Sequence, residues 1–269
     1  MSILQAALLG LLQGLTEFLP VSSSGHLVLA KQVLNVANPE MLSFDVYVHF
    51  GTLISVCIIF RHDISRIIRA FWDAARTQAW KTAYSSNEYF RLGLAIMVAS
   101  VPAAIIGLMY HDQIAEAFRD PKLVSVDLIV TGLFLFMTRF PKAVDGKRVG
   151  IVSGSIIGIA QSVAILPGIS RSGSTISTAL FLRIPPHLAA RFSFLLSVPV
   201  IAGAALLETK TMVRQGMELG FAPFIVGLVV AAIVGYGSIK LLLQIIERGR
   251  FSWFAFYCFV VGIAGILFI

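Results

Sequence analysis

Charged side chains are scarce in this sequence. Asp, Glu, Lys and Arg make up 13% of its 269 residues, about half the share found in ordinary soluble domains. With 57% of residues hydrophobic and a mean hydropathy of +0.87, the chain carries more apolar surface than one soluble core of this size can hide. That excludes a soluble globular domain and identifies a polytopic membrane protein. Acidic residues are scarcer still, which leaves a net charge of +7. This excess is no nucleic-acid footprint, because the basic residues sit in loops between apolar runs, where the positive-inside rule puts them. Cysteine is almost missing. Cys57 and Cys258 both fall inside apolar runs, which excludes a disulfide framework and a thiolate metal site. The start of the chain lacks a basic stretch and a small-residue cleavage site, so no removable leader is expected.

What is there in quantity is apolar length. Residues 44–60, 89–110, 123–139, 188–207, 221–243 and 251–269 are each long enough to cross a bilayer with some tilt. Two further regions are not. Residues 2–19 run into Pro20 and a group of serines, and the apolar run from His26 to Leu34 is too short to finish a crossing. Residues 149–166 followed by 174–182 repeat the pattern. Each pair is expected to be re-entrant, returning to the face it came from, in protein-lined or wet surroundings.

Loop charges orient the chain. Arg61, Arg66, Arg69, Arg76, Lys81 and Arg91 occupy one loop, and Arg139, Lys142, Lys147 and Arg148 another. Loops 110–122 and 208–220 balance their few cations with acids. The basic loops therefore face the cytoplasm and both chain ends face outward. The arginine-rich stretch around Trp72 and Trp80 reads either as an interfacial helix or as a solvated loop. The expected fold is all-α and polytopic, with six transmembrane helices plus two re-entrant helix pairs in inverted-topology repeats. One membrane domain, 1–269, holds a first repeat over 1–140 and a second, upside down, over 149–269.

The two interrupted regions are copies of one another. GLLQGLTEFLPVSSSG begins at Gly10 and GIAQSVAILPGISRSG at Gly158, so that Gly10, Gln13, Ser22, Ser24 and Gly25 meet Gly158, Gln161, Ser170, Ser172 and Gly173 at an offset of 148. Paired broken helices point to a membrane site between repeats. At each break a short helix begins, near Ser23 or Ser24 and near Ser172, with unpaired backbone N–H groups and a partial positive charge. Two such ends facing each other favour phosphate, with Ser22, Ser24, Ser170 and Ser172 as its cradle and Gly25 and Gly173 allowing close approach. The plain alternative is that the serines only cap helices. Arg171 can grip phosphate oxygens. Glu17 and Arg171 would each cost about 3 kcal/mol at the centre of a membrane helix, so a function is expected of them; a mutual salt bridge is the structural alternative. Gln13 and Glu17 share one helix face, and their oxygens suit Mg²⁺ or Ca²⁺ better than zinc. His26, on the first turn of its short helix, can take a proton or attack phosphorus. Asp45 and His49 read as supporting or interfacial groups, Asp127 and Lys240 as packed or snorkelling.

These residues resemble those of the undecaprenyl-diphosphate phosphatase, or bacitracin-resistance, family. The resemblance spans essentially the whole chain: Gln13 to Glu17, PVSSSGH from Pro20, PGISRSG from Pro167 and FSFLLSVP from Phe192. It implies a bacterial inner-membrane enzyme of cell-wall synthesis, opening to the outer side, that removes the terminal phosphate of a polyprenyl diphosphate. It implies Glu17, His26 and Arg171 as indispensable, Ser23 as nucleophile, and Thr175 with the serines as phosphate ligands. In that scheme His26, oriented by Glu17, takes the proton of Ser23, and attack by His26 itself is the rival chemistry. The expected partners are the lipid substrate and membrane lipids rather than nucleic acid, with a homodimer left open. A transporter for an anionic lipid or solute is the alternative function.

Overall fold

The computed structural model describes residues 1–34, 40–140, 147–215 and 221–269; Lys142 and residues 216–220 of two loops considered above lie outside them. The described residues are helical throughout: α1 (Ile3–Thr16), α2 (Ser23–Val33), α3 (Glu40–Ile59), α4 (Arg61–Thr77), α5 (Trp80–Ser86), α6 (Glu88–Met109), α7 (His111–Ala117), α8 (Pro121–Met137), α9 (Ile151–Val163), α10 (Arg171–Phe181), α11 (Pro186–Gln215), α12 (Phe221–Glu247) and α13 (Phe254–Phe268), the last entered through a 3₁₀ turn at Phe251–Trp253. Ser2 starts α1 with a capping box to Gln5, and Asp120 caps α8 ahead of Pro121.

The surface is greasy, and a set of polar side chains is drawn into an otherwise apolar interior. Leu4, Val101, Leu133, Ile233 and Val260 face outward, whereas Gln13, Glu17, His26, Ser170, Thr175 and Ser193 are buried. Among the described residues, four helices are long and apolar enough to cross a membrane: Glu88–Met109, Pro186–Leu206, Ala222–Glu247 and Phe251–Phe268. A fifth span results when Phe44–Ile59 is joined to Arg61–Thr77, which bends away by 76°. By this measure the six long runs read from the sequence become four or five. The 44–60 run ends where the apolar sequence gives way to Arg61, His62 and Asp63, and the 123–139 run gives 17 residues of helix. The stretch around Trp72 is helix rather than loop. α4 buries Ala70 and Ala74 and exposes Arg61, Arg69, Arg76 and Trp72.

Helix packing crosses between the two halves of the chain. α1 packs along α12 and α9 along α6, α3 meets both α11 and α12, and α8 lies against α13. Glycines make the first two contacts close. A side chain on Gly10 would come within 2.5 Å of the Gly227 carbonyl oxygen, and one on Gly158 within 2.5 Å of that of Ala99. The first turns of the short helices α2 and α10 lie in the interior, Gly25, His26, Ser172 and Gly173 among their buried residues. Arg191 ties α11 to α4 and α6 through Asp63 at 2.6 Å and Glu88 at 2.8 Å. Cys57 and Cys258 are free thiols.

Candidate active site

α1 stops at Thr16 because Pro20 cannot continue it and restrains the residue before it. The chain then turns through Ser22, whose φ of +66° is rare outside glycine, and α2 begins at Ser23. The Ser22 Oγ accepts the N–H of Gly25 and lies 3.3 Å from Ser24 Oγ. In the second copy, α9 ends at Val163 and Gly168 makes the turn with φ +97°. Ser170 Oγ accepts the N–H of Gly173 at 3.0 Å and lies 3.3 Å from Ser172 Oγ. The helix start expected near Ser172 thus falls one residue earlier, at Arg171, because Ser170 is the cap.

The two turns touch. Ser172 Oγ donates to the Leu19 carbonyl at 3.2 Å, and a Cβ on Gly25 would sit 3.1 Å from Gly168 Cα. Thr131 on α8 accepts the N–H of Ser170 and donates to the Gly168 carbonyl. Cys258 on α13 points its thiol at the Pro20 carbonyl, 3.7 Å away. Gly25 and Gly173 therefore serve hairpin contact and capping in this arrangement. Thr175 is fully buried and bonds to the Arg171 carbonyl at 2.8 Å and Ser193 Oγ at 2.6 Å. Of the residues considered for a phosphate cradle, Ser170, Ser172 and Thr175 have their hydroxyls engaged in holding the fold.

Glu17 is the centre of the polar interior. Its Oε1 receives Arg171 Nη2 at 2.5 Å. Its Oε2 receives Ser23 Oγ at 2.6 Å and Gln13 Nε2 at 2.9 Å, with His49 Nε2 at 3.6 Å. The salt bridge considered from the sequence is thus present, and Ser23 shares the same carboxylate. Ser23 and Arg171 are counterparts at the offset of 148, each the first residue of its short helix, so the two helix starts converge on Glu17. Arg171 Nη1 and Gln13 Oε1 are buried and have no hydrogen-bond partner among the described residues. A buried guanidinium N–H left over from an ion pair is available to a phosphate oxygen.

His26 is placed differently from expectation. It makes no hydrogen bond with Glu17; its Nδ1 lies 2.8 Å from the Ser22 carbonyl oxygen and its Nε2 2.8 Å from Tyr257 Oη. The imidazole also lines an open apolar groove of about 430 Å³ between α1, α2 and α13, walled by Leu8, Leu12, Leu15, Leu29, Val33 and Val261 among others.

Gln13 and Glu17 do not form the oxygen pair that Mg²⁺ or Ca²⁺ would need. Gln13 presents its amide N–H to Glu17, and both carboxylate oxygens already accept donors. Among the described residues no three His, Cys, Asp or Glu side chains gather where they could hold an ion. Asp45 pairs with Lys31 at 2.5 Å, Lys240 lies over the Tyr236 ring at 4.4 Å, and Asp127 is packed at the Gly168 turn with Oδ2 unpartnered among the described residues. Sequence reasoning underrated His49 and did not single out Tyr257. The available signals were an ionisable residue in the middle of an apolar run and the sole hydroxyl of the last helix.

The family model described as "Bacitracin resistance protein BacA" matches residues 6–264. The undecaprenyl-diphosphatase of Salinibacter ruber is 39% identical over 97% of both chains. That of Carboxydothermus hydrogenoformans is 40% identical, covering 98% of this chain and 96% of its own. That of Korarchaeum cryptofilum is 42% identical over 98% of each. With a match running from the first helix to the last and including both serine-rich turns, the chain belongs to the bacitracin resistance protein BacA family.

Proposed function

We propose that this protein is a membrane-embedded undecaprenyl-diphosphate phosphatase. It hydrolyses the terminal phosphate of the lipid carrier, releases inorganic phosphate and regenerates undecaprenyl phosphate for cell-wall synthesis. The observation that carries the reading is Ser23 and Arg171 on the two oxygens of Glu17, with Arg171 Nη1 unspent. A hydroxyl 2.6 Å from a carboxylate is a nucleophile beside its base. Ser23 Oγ attacks the terminal phosphorus while its proton passes to Glu17 Oε2, and undecaprenyl phosphate leaves. Water then splits the phosphoserine, and the proton on Glu17 returns to the Ser23 oxygen. Arg171 and the first-turn N–H groups of α2 and α10 stabilise the charge on the transferring phosphoryl group, where most such catalysis lies. The apolar groove beside His26 takes the isoprenyl units next to the diphosphate. A divalent cation, if one is used, would neutralise charge on the diphosphate, and Gln13 and Glu17 as arranged here would not be its holders.

The packing of α1 on α12, of α9 on α6 and of α8 on α13 supports a finer architecture. In it, 1–140 and 149–269 are inverted repeats with six crossings, α1–α2 and α9–α10 are re-entrant, and the site opens to the outer face of the inner membrane. Labelling of a cysteine at position 115 from outside, with one at position 76 protected, is the expected pattern.

Purified protein in detergent should release phosphate from a polyprenyl diphosphate. Rapid quenching with labelled substrate should trap an acid-stable adduct on Ser23. An acid-labile adduct would move the attack to His26, and no phosphate release would defeat the enzyme in favour of a transporter.

A further inference from the structure

His26 remains unexplained by the steps above. It is buried, 7% exposed, and its ring nitrogens face the Ser22 carbonyl and the Tyr257 hydroxyl, outside the Glu17 cluster. The Ser22 carbonyl oxygen can only accept a hydrogen bond, so the proton of the neutral ring sits on Nδ1 and its lone pair on Nε2. That lone pair meets Tyr257 Oη at 2.8 Å. The two rings lie within 7° of parallel, with centroids 5.5 Å apart. Tyr257 belongs to α13, whose sequence FAFYCFVVGIAGILF contains no other hydroxyl and no charge. One turn further on, Val261 forms part of the groove that His26 also lines. A phenol on so apolar a helix, aimed at an imidazole that the opposite half of the chain supplies, is a directed contact.

We infer that Tyr257 is a positioning residue for His26: its hydroxyl, opposite the Ser22 carbonyl, fixes the plane and tautomer of the imidazole at the edge of the lipid groove. The inference rests on the phosphatase reading. A base held in register by a third group is the general arrangement for activating a nucleophile, and in the second half-reaction that nucleophile is water. The Nε2 lone pair already accepts the Tyr257 hydroxyl, so the proton of that water reaches it through the phenol: Tyr257 gives its hydrogen to Nε2 as its oxygen takes one from the water. Tyr257 would thus make the last helix of the chain part of the site that the first hairpin builds.

Tyr257→Phe keeps the ring and removes the hydroxyl. Phosphate release from a polyprenyl diphosphate should fall about tenfold in kcat, a fraction of the full effect of a general base, with KM within twofold and the melting temperature unchanged. In protein carrying ¹⁵N-histidine, the Nε2 resonance of His26, assigned by its loss in His26→Gln, should move in Tyr257→Phe. The double variant should be no slower than His26→Gln alone. A kcat within twofold of the parent, an unmoved resonance, or a double variant as slow as the two single losses multiplied would each overturn the inference. If Tyr257→Phe proves less stable, the resonance read on the folded fraction decides. A parent protein that releases no phosphate defeats the phosphatase reading, while the resonance still tests the contact itself.

Discussion

The two hairpins were built to one pattern and then given different tasks. In both, a serine caps a short helix, a second serine lies 3.3 Å from it, and a glycine N–H closes the turn. Each turn carbonyl is held by a helix from the other half of the chain, Pro20 by Cys258 and Gly168 by Thr131. The differences sit where chemistry is needed. The first copy has Glu17 where the second has Ile165, Ser23 where the second has Arg171, and His26 where the second has Ser174. One hairpin carries the carboxylate, hydroxyl and imidazole, while the other answers with a single guanidinium. Two turns of one sequence pattern can therefore differ at three positions and make an asymmetric site, because both helix starts point at the same carboxylate.

Substitutions at paired positions would break or sharpen this comparison. The largest effect is expected at Ser23→Ala, which should reduce phosphate release by at least about a thousandfold. The offset counterpart of its neighbour, Ser172→Ala, should lose no more than about tenfold, because its hydroxyl meets the Leu19 carbonyl and Ser170 Oγ rather than Glu17; equal losses would mean the cradle is symmetric. Arg171→Ala comes next. It removes the guanidinium from a buried Glu17, with a cost of about 3–5 kcal/mol, read as a fall in melting temperature that Glu17→Gln in the same chain should largely reverse without restoring activity. Gly10→Ala and Gly158→Ala should cost about 1–3 kcal/mol each, and similar amounts, since each Cβ would press on a backbone carbonyl across the halves. The smallest effect separates the caps. Ser170→Gly should be the more destabilising of the pair by about 1 kcal/mol, because glycine at Ser22 relieves a φ of +66° while glycine at Ser170 relieves nothing at −73°. Thermal unfolding in detergent measures both.

Much of the site was legible in advance because membrane burial makes ionisable residues conspicuous. Glu17, His26 and Arg171 stand out against apolar sequence, and the 148-residue offset paired the two turns before any contact was known. His49 and Tyr257 were not legible as site residues. Each sits on a helix far along the chain from the residue it meets, and only packing of α3 and α13 against the first hairpin brings them there. The 44–60 run illustrates a different gap. Its apolar length suggested a plain crossing, but the 76° bend after Ile59 arises from an amphipathic successor whose orientation depends on what Ala70 and Ala74 pack against.

The sequence by itself determined that this is a membrane protein, where its helices break, and which residues at the breaks could handle phosphate, since hydropathy, proline and charge act locally along the chain. Only the tertiary structure decided that Glu17 is shared by Ser23 and Arg171, and that His26 turns to Tyr257 instead. Hydrogen-bond partners in the interior are chosen by which helix backs can approach closely, and Gly10 against Gly227 and Gly158 against Ala99 set that approach between helices distant in the chain.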